Sequence, residues 1–232
     1  LKTIGLIGGM SWESTVPYYR EINAAVKRRL GGLHSAKIVL YSVDFHEVER
    51  LQAAGEWEAA GALLAGAAAA LERAGADFLV LCTNTMHKVA PAIEAAVAIP
   101  LLHIVDPTAG EVIRAGFSTV GLLGTRFTME EEFYRARLRD PHGLAVVVPA
   151  APEREVVHRV IYDELCLGRI REASRAEFRR IMAGLAQRGA QAVILGCTEI
   201  ALLVGPGDAP VPLFDTTAIH ARAAAERALA AG

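Results

Sequence analysis

Cys197 is the residue of this chain best placed for proton chemistry. It follows the run Ala192-Val193-Ile194-Leu195-Gly196 and precedes Thr198-Glu199. Short apolar runs ended by such punctuation predict a buried strand of a parallel sheet. The thiol then stands where the strand leaves the sheet, at the end where open α/β folds place ligands. Thr198 is expected to cap a following helix, and a helix N-terminus favours the thiolate form of a neighbouring thiol. A thiolate so placed is a base near neutral pH.

An earlier stretch repeats this one. Residues 188–199 overlay residues 74–85 at a constant offset of 114, which pairs Cys197 with Thr83 and Gly196 with Cys82. Side chains alternate along a strand, so if Thr83 faces a cleft, Cys82 faces the core. A second repeat, at an offset of 116, relates Thr119-Val120-Gly121-Leu122-Leu123-Gly124 to Thr3-Ile4-Gly5-Leu6-Ile7-Gly8. Generic βα patterns could match by chance. Here the Gly-Ala pair, the apolar run and the polar loop agree at one offset, which favours duplication. The halves should be related by approximate two-fold symmetry, with Thr83 and Cys197 approaching one bound molecule from opposite sides.

Strand-like and helix-like segments alternate along most of the chain, predicting an α/β fold of two pseudo-symmetric βα domains with mainly parallel sheets. Expected strands are 2–7, 37–43, 78–82, 100–105, 119–124, 145–148, 192–196 and 211–214. Expected helices cover about 11–30, 47–54, 56–73, 153–167, 172–188 and 216–230. The division expected is 1–105 with 216–232 as one domain and 106–215 as the other.

The strand-to-helix loops carry Ser11, Thr83-Asn84-Thr85, Thr125, Thr128, Thr198 and Thr216-Thr217. Each alone reads as an ordinary N-cap. Together, hydroxyls beside helix N–H groups make neutral sites suited to a small carboxylate. Other classes are excluded on composition. A net charge of −2 without a basic block argues against nucleic acid. The longest charge-free apolar run, 59–71, is too short and alanine-rich to span a bilayer. The N-terminus opens on a strand pattern with no room for a signal peptide. Three cysteines without a dense framework point to a reducing cytoplasm and no disulfides. Gly5-Leu6-Ile7-Gly8-Gly9 lacks dinucleotide-loop spacing. The seven histidines are scattered, so metal ligation is not supported. Cys166 reads as a packing residue.

At Gly8-Gly9-Met10-Ser11-Trp12, Cys82-Thr83-Asn84-Thr85-Met86-His87, Gly124-Thr125 with Thr128, Gly196-Cys197-Thr198-Glu199 and Asp215-Thr216-Thr217-Ala218, the chain resembles the aspartate/glutamate racemase family, which works without pyridoxal phosphate. The resemblance implies two βα domains, a C-terminal helix returning to the first, commonly a homodimer, no cofactor, and two cysteines exchanging the α-proton of an amino acid from opposite faces. The family's first motif is Cys-Asn-Thr. Here Thr83 directly precedes Asn84-Thr85, so the chain is similar to a branch in which a threonine faces the second cysteine. That branch implies action on L-aspartate and L-glutamate, with Cys197 handling the L isomer.

Met10, Gln52, Asn84, Thr85, Thr125, Thr198 and Glu199 are the substrate-binding residues the resemblance implies, with Cys82 and Arg126 as further candidates. One departure concerns the side chain of the substrate: Cys166 stands where aspartate racemases often carry a lysine. Rival readings are a related proton-transfer enzyme of the hydantoin racemase or maleate isomerase type, and a non-catalytic sensor of acidic amino acids. The loop Gly8-Gly9-Met10-Ser11-Trp12 favours the amino-acid branch.

Overall fold

The five residues of the first strand, β1 (Ile4–Gly8), are all buried, as a central parallel strand covered on both faces requires. The computed structural model describes residues 1–230. After β1 come α1 (Trp12–Leu30), β2 (Ile38–Ser42), α2 (Phe45–Ala54), α3 (Trp57–Arg73), β3 (Phe78–Leu81), a 3-10 turn (Thr85–Val89), α4 (Ala90–Ala95) and β4 (Leu101–Leu102). The second series is α5 (Val105–Arg114), β5 (Thr119–Gly124), α6 (Arg126–Glu130), α7 (Glu132–Arg139), β6 (Ala145–Val147), α8 (Ala151–Asp163), a 3-10 turn (Leu165–Leu167), α9 (Glu172–Gln187), β7 (Ala192–Gly196), α10 (Ile200–Leu203), β8 (Leu213–Asp215) and α11 (Thr216–Leu229).

The chain divides into two units, Leu1–Ile104 with His220–Gly232, and Val105–Ile219. Each holds a four-stranded parallel sheet, in the orders β2-β1-β3-β4 and β6-β5-β7-β8. The two orders are the same once the repeat is applied, because β1 corresponds to β5 and β3 to β7. The sheet class expected from the sequence is therefore the one found.

Alternation along the central strands assigns their side chains. Leu79 and Leu81 join a cluster with Ile7, Leu51, Leu64 and Met86. Phe78, Val80 and Cys82 point the other way, into a cluster with Tyr18, Ile22, Ala221 and Ala225. In β7 the residues matching Leu79 and Leu81 are Val193 and Leu195. These two and Cys197 pack with Val157, Phe178 and Leu185. The strand reading 100–105 is too long. Only Leu101–Leu102 pair as a strand, and Val105 opens α5, where Val105, Thr108, Ala109 and Val112 form a buried helical stripe.

Candidate active site

In the first unit the chain turns sharply after β3, with the Thr83 N–H donating to the Leu81 carbonyl at 2.9 Å. Thr83, Asn84 and Thr85 are buried at this end of the sheet. Met10 follows β1 and packs in the same cluster as Leu51 and Met86. Gln52, buried on α2, donates from Nε2 to Met86 Sδ at 2.8 Å. The fold thus brings Met10, Gln52 and the Thr83–Thr85 turn to the carboxyl end of one sheet. Gly9, with φ +93°, makes the turn after β1, and a Cβ there would strike the Val43 backbone. Cys82 is elsewhere: fully buried, its thiol donates to the Val80 carbonyl at 3.9 Å, and burial pushes its pKa up. Such a sulfur stays protonated and inert.

In the second unit Gly124 and Gly196 are register partners on β5 and β7. Thr125 and Cys197 therefore leave adjacent strands side by side. Glycine is required at this close approach. A Cβ on Gly124 would lie 2.7 Å from the Gly196 carbonyl, and one on Gly196 would lie 2.8 Å from the Leu123 carbonyl. Thr125 caps α6, its Oγ1 accepting from the Thr128 N–H at 3.4 Å.

Cys197 departs from expectation. Its Sγ donates to Glu199 Oε2 at 3.0 Å, and Thr198 Oγ1 donates to the same oxygen at 2.8 Å. Thr198 caps no helix. The helix that follows is α10, of four residues, preceded by Glu199 with no side-chain cap bond. So short a helix has little dipole to offer. Burial, then the Glu199 carboxylate, then Cys166 push the Cys197 pKa well above its ordinary value. The resting state is a thiol hydrogen-bonded to a carboxylate, and the expected thiolate is corrected accordingly. Tyr134 on α7, which sequence reasoning passed over, is buried, and burial pushes its pKa up. Its sequence signal is the i, i+4 spacing of Tyr134 and Leu138, the two residues of α7 that the structure buries.

In the other hydroxyl loops Thr216 and Ser11 bond within the protein, whereas the buried Thr217 Oγ1 has no hydrogen-bond partner among the described residues. Thr216 Oγ1 donates to the Leu195 carbonyl at 2.8 Å, while Asp215 Oδ1 accepts from the N–H groups of Thr217 and Ala218 at 2.9 and 3.3 Å. Ser11 makes no side-chain cap; its carbonyl accepts from Ser14 and Thr15. Arg126 is exposed with its guanidinium 5.5 Å from the Phe127 ring, and its N–H donates to His158 Nδ1 at 3.1 Å. Among the described residues no group of three His, Cys, Asp or Glu side chains is arranged to hold a metal ion. None of their helices is long and apolar enough to cross a membrane.

Residues 7–224 match the family model described as Asp/Glu/Hydantoin racemase. The chain belongs to that family. A solved structure of a candidate Asp/Glu racemase from Yersinia pestis is 61% identical, with a TM-score of 0.91 over 99% of this chain and 100% of that one. An aspartate racemase homologue from Pyrococcus horikoshii OT3 is 37% identical, with a TM-score of 0.82 over 99% and 100%. The broad specificity amino-acid racemase RacX of Bacillus subtilis is 23% identical over 98% of each chain. As a member of the Asp/Glu racemase family, the protein is an isomerase of the amino-acid racemase type.

Proposed function

We propose that the protein racemises L-aspartate and L-glutamate by removing and returning the α-proton, without pyridoxal phosphate or metal. Cys197 is the base toward the L isomer. Thr83 supplies a proton, or orders the water that supplies it, on the opposite face. Asn84, Thr85, Thr198 and neighbouring backbone N–H groups hold the α-carboxylate, where N–H donors stabilise the charge that develops as the proton leaves. The observation that carries the reading is the 3.0 Å contact between Cys197 Sγ and Glu199.

That pair shares one proton. When it sits on Glu199, the sulfur is a thiolate and can take the substrate's proton, leaving both groups protonated; the reverse step returns a proton from sulfur to Cα. A local carboxylate thus receives the proton that the thiol gives up. The proposal extends to a cytoplasmic homodimer, which sedimentation and localisation would check, and to a two-domain division at 105/106 and 215/216.

Proton NMR in D₂O with L-Asp, L-Glu, D-Asp and D-Glu tests the activity. Loss of the Cα–H signal from L-Asp or L-Glu is expected, with the D isomer then appearing on chiral chromatography of the same samples. Binding without exchange would instead support the sensor reading.

A further inference from the structure

Three of the seven histidines that look scattered in the sequence meet in the first unit. His87, His103 and His220 are buried, and the ring centroids of His87 and His103 lie 4.3 Å apart. His87 Nδ1 lies 2.8 Å from the Thr83 carbonyl, and the Ile104 N–H donates to His87 Nε2 at 3.2 Å. A carbonyl only accepts and an N–H only donates, so these partners fix the neutral Nδ1–H tautomer. His220 is fixed the other way. Its Nε2–H donates to the Leu102 carbonyl at 2.8 Å, and its Nδ1 accepts from the Tyr18 hydroxyl at 2.9 Å.

These bonds join the ends of two neighbouring strands. Thr83 lies just past β3, whereas Leu102 and Ile104 are the end and sequel of β4, and β3 pairs with β4 through Leu79–Leu101 and Val80–Leu102. Beyond that pairing, the His87 ring bridges the diverging chains at Thr83 and Ile104. The Thr83 peptide is held on one side by its own N–H to Leu81 and on the other by its carbonyl to His87.

We infer that His87 is a positioning residue for Thr83: its neutral imidazole sets the direction of the hydroxyl that serves the second face of the substrate. The inference rests on the proposed racemase reading and adds to it a residue with no contact to the reacting atoms. Loss of the clamp should affect the Thr83 step and spare the Cys197 step.

The test separates these steps. With L-aspartate or L-glutamate in D₂O, deuterium appearing in the L isomer reports Cys197, and formation of the D isomer reports completion on the other face. In His87→Leu, D-isomer formation should fall about tenfold or more, the scale set by small misplacements of reacting groups, while deuterium exchange into the L isomer changes less than about threefold. His87→Asn places an amide N–H where Nδ1–H stands and should restore inversion to within about threefold of the parent, whereas His87→Gln, reaching only the Nε2 position, should not. If His87→Leu fails to fold, the contrast between Asn and Gln carries the test. Parallel loss of exchange and inversion, or equal behaviour of Asn and Gln, would overturn the inference. A parent protein without any exchange would overturn the racemase reading itself.

Discussion

The ends of β3 and β7 are built alike and hold sulfur in opposite circumstances. At β3 the cysteine stands one residue early, and the pleat turns Cys82 into the cluster of Tyr18 and Val80. At β7 the cysteine occupies the position matching Thr83, with a carboxylate at 3.0 Å. The surroundings of each thiol follow from its place relative to the strand. One is sealed among hydrocarbons, where an ionised sulfur has no partner. The other is buried as well, yet has a group beside it that can receive its proton.

Breaking the competent end should have the largest effect. Cys197→Ser is expected to lower exchange from the L isomer by about 10²- to 10⁴-fold, the usual contribution of a positioned base. An NMR time course in D₂O reads this directly, and near-parent exchange would refute the assignment.

Glu199→Gln tests the proton sharing and comes next, with a fall of about ten- to a hundredfold at neutral pH. Its sign with pH is the sharper readout. In the proposed mechanism the pair keeps its proton internally, which predicts a kcat/KM that is flat around neutrality. With glutamine the thiol must release its proton to solvent, and burial still holds its pKa high. Activity of the variant should therefore climb as pH rises through the alkaline range. A parallel, pH-independent change would show that Glu199 is not the acceptor.

Thr83→Cys makes the two ends alike and should raise exchange from the D isomer by about tenfold, since a thiol is a far better acid and base than a hydroxyl. The equilibrium between free enantiomers stays at unity, so kcat/KM must remain equal in the two directions. The gain is therefore sought in Cα–H exchange measured separately with each isomer. No gain would mean that the residue at position 83 does not face the substrate. Smallest is Cys82→Ala, expected to leave exchange within about twofold and to cost about 1 kcal/mol of stability, as modest truncations in a packed core do. Denaturant titration and the same exchange assay check both halves of that statement.

Much of this architecture could be read from the sequence, because duplication writes the same message twice. The offsets of 114 and 116 match β1 to β5 and β3 to β7, and the two sheet orders agree with that match. What escaped was short or long-range. Helices α4, α6 and α7 span six, five and eight residues, too few turns for a periodic signal. The Glu199 contact is only two residues from Cys197, but reading Thr198 as a cap hid it. No spacing announces His87, His103 and His220, since His220 reaches the Leu102 carbonyl across 118 residues. Tertiary folding alone creates that cluster.

The last helix has a consequence for how the protein is made. Ala221, Ala224, Ala225 and Ala228 complete the cluster around Ile4, Leu6, Phe78 and Val80. The Lys2 N–H also reaches the Ala228 carbonyl at 3.0 Å. On the ribosome, residues 1–104 emerge first and then wait through synthesis of all of Val105–Ile219 for the segment that covers one face of their sheet. At about 5–20 residues per second, that wait is on the order of ten seconds. Through that interval the nascent chain carries an open row of isoleucine, leucine, phenylalanine and valine, the kind of surface that chaperones hold.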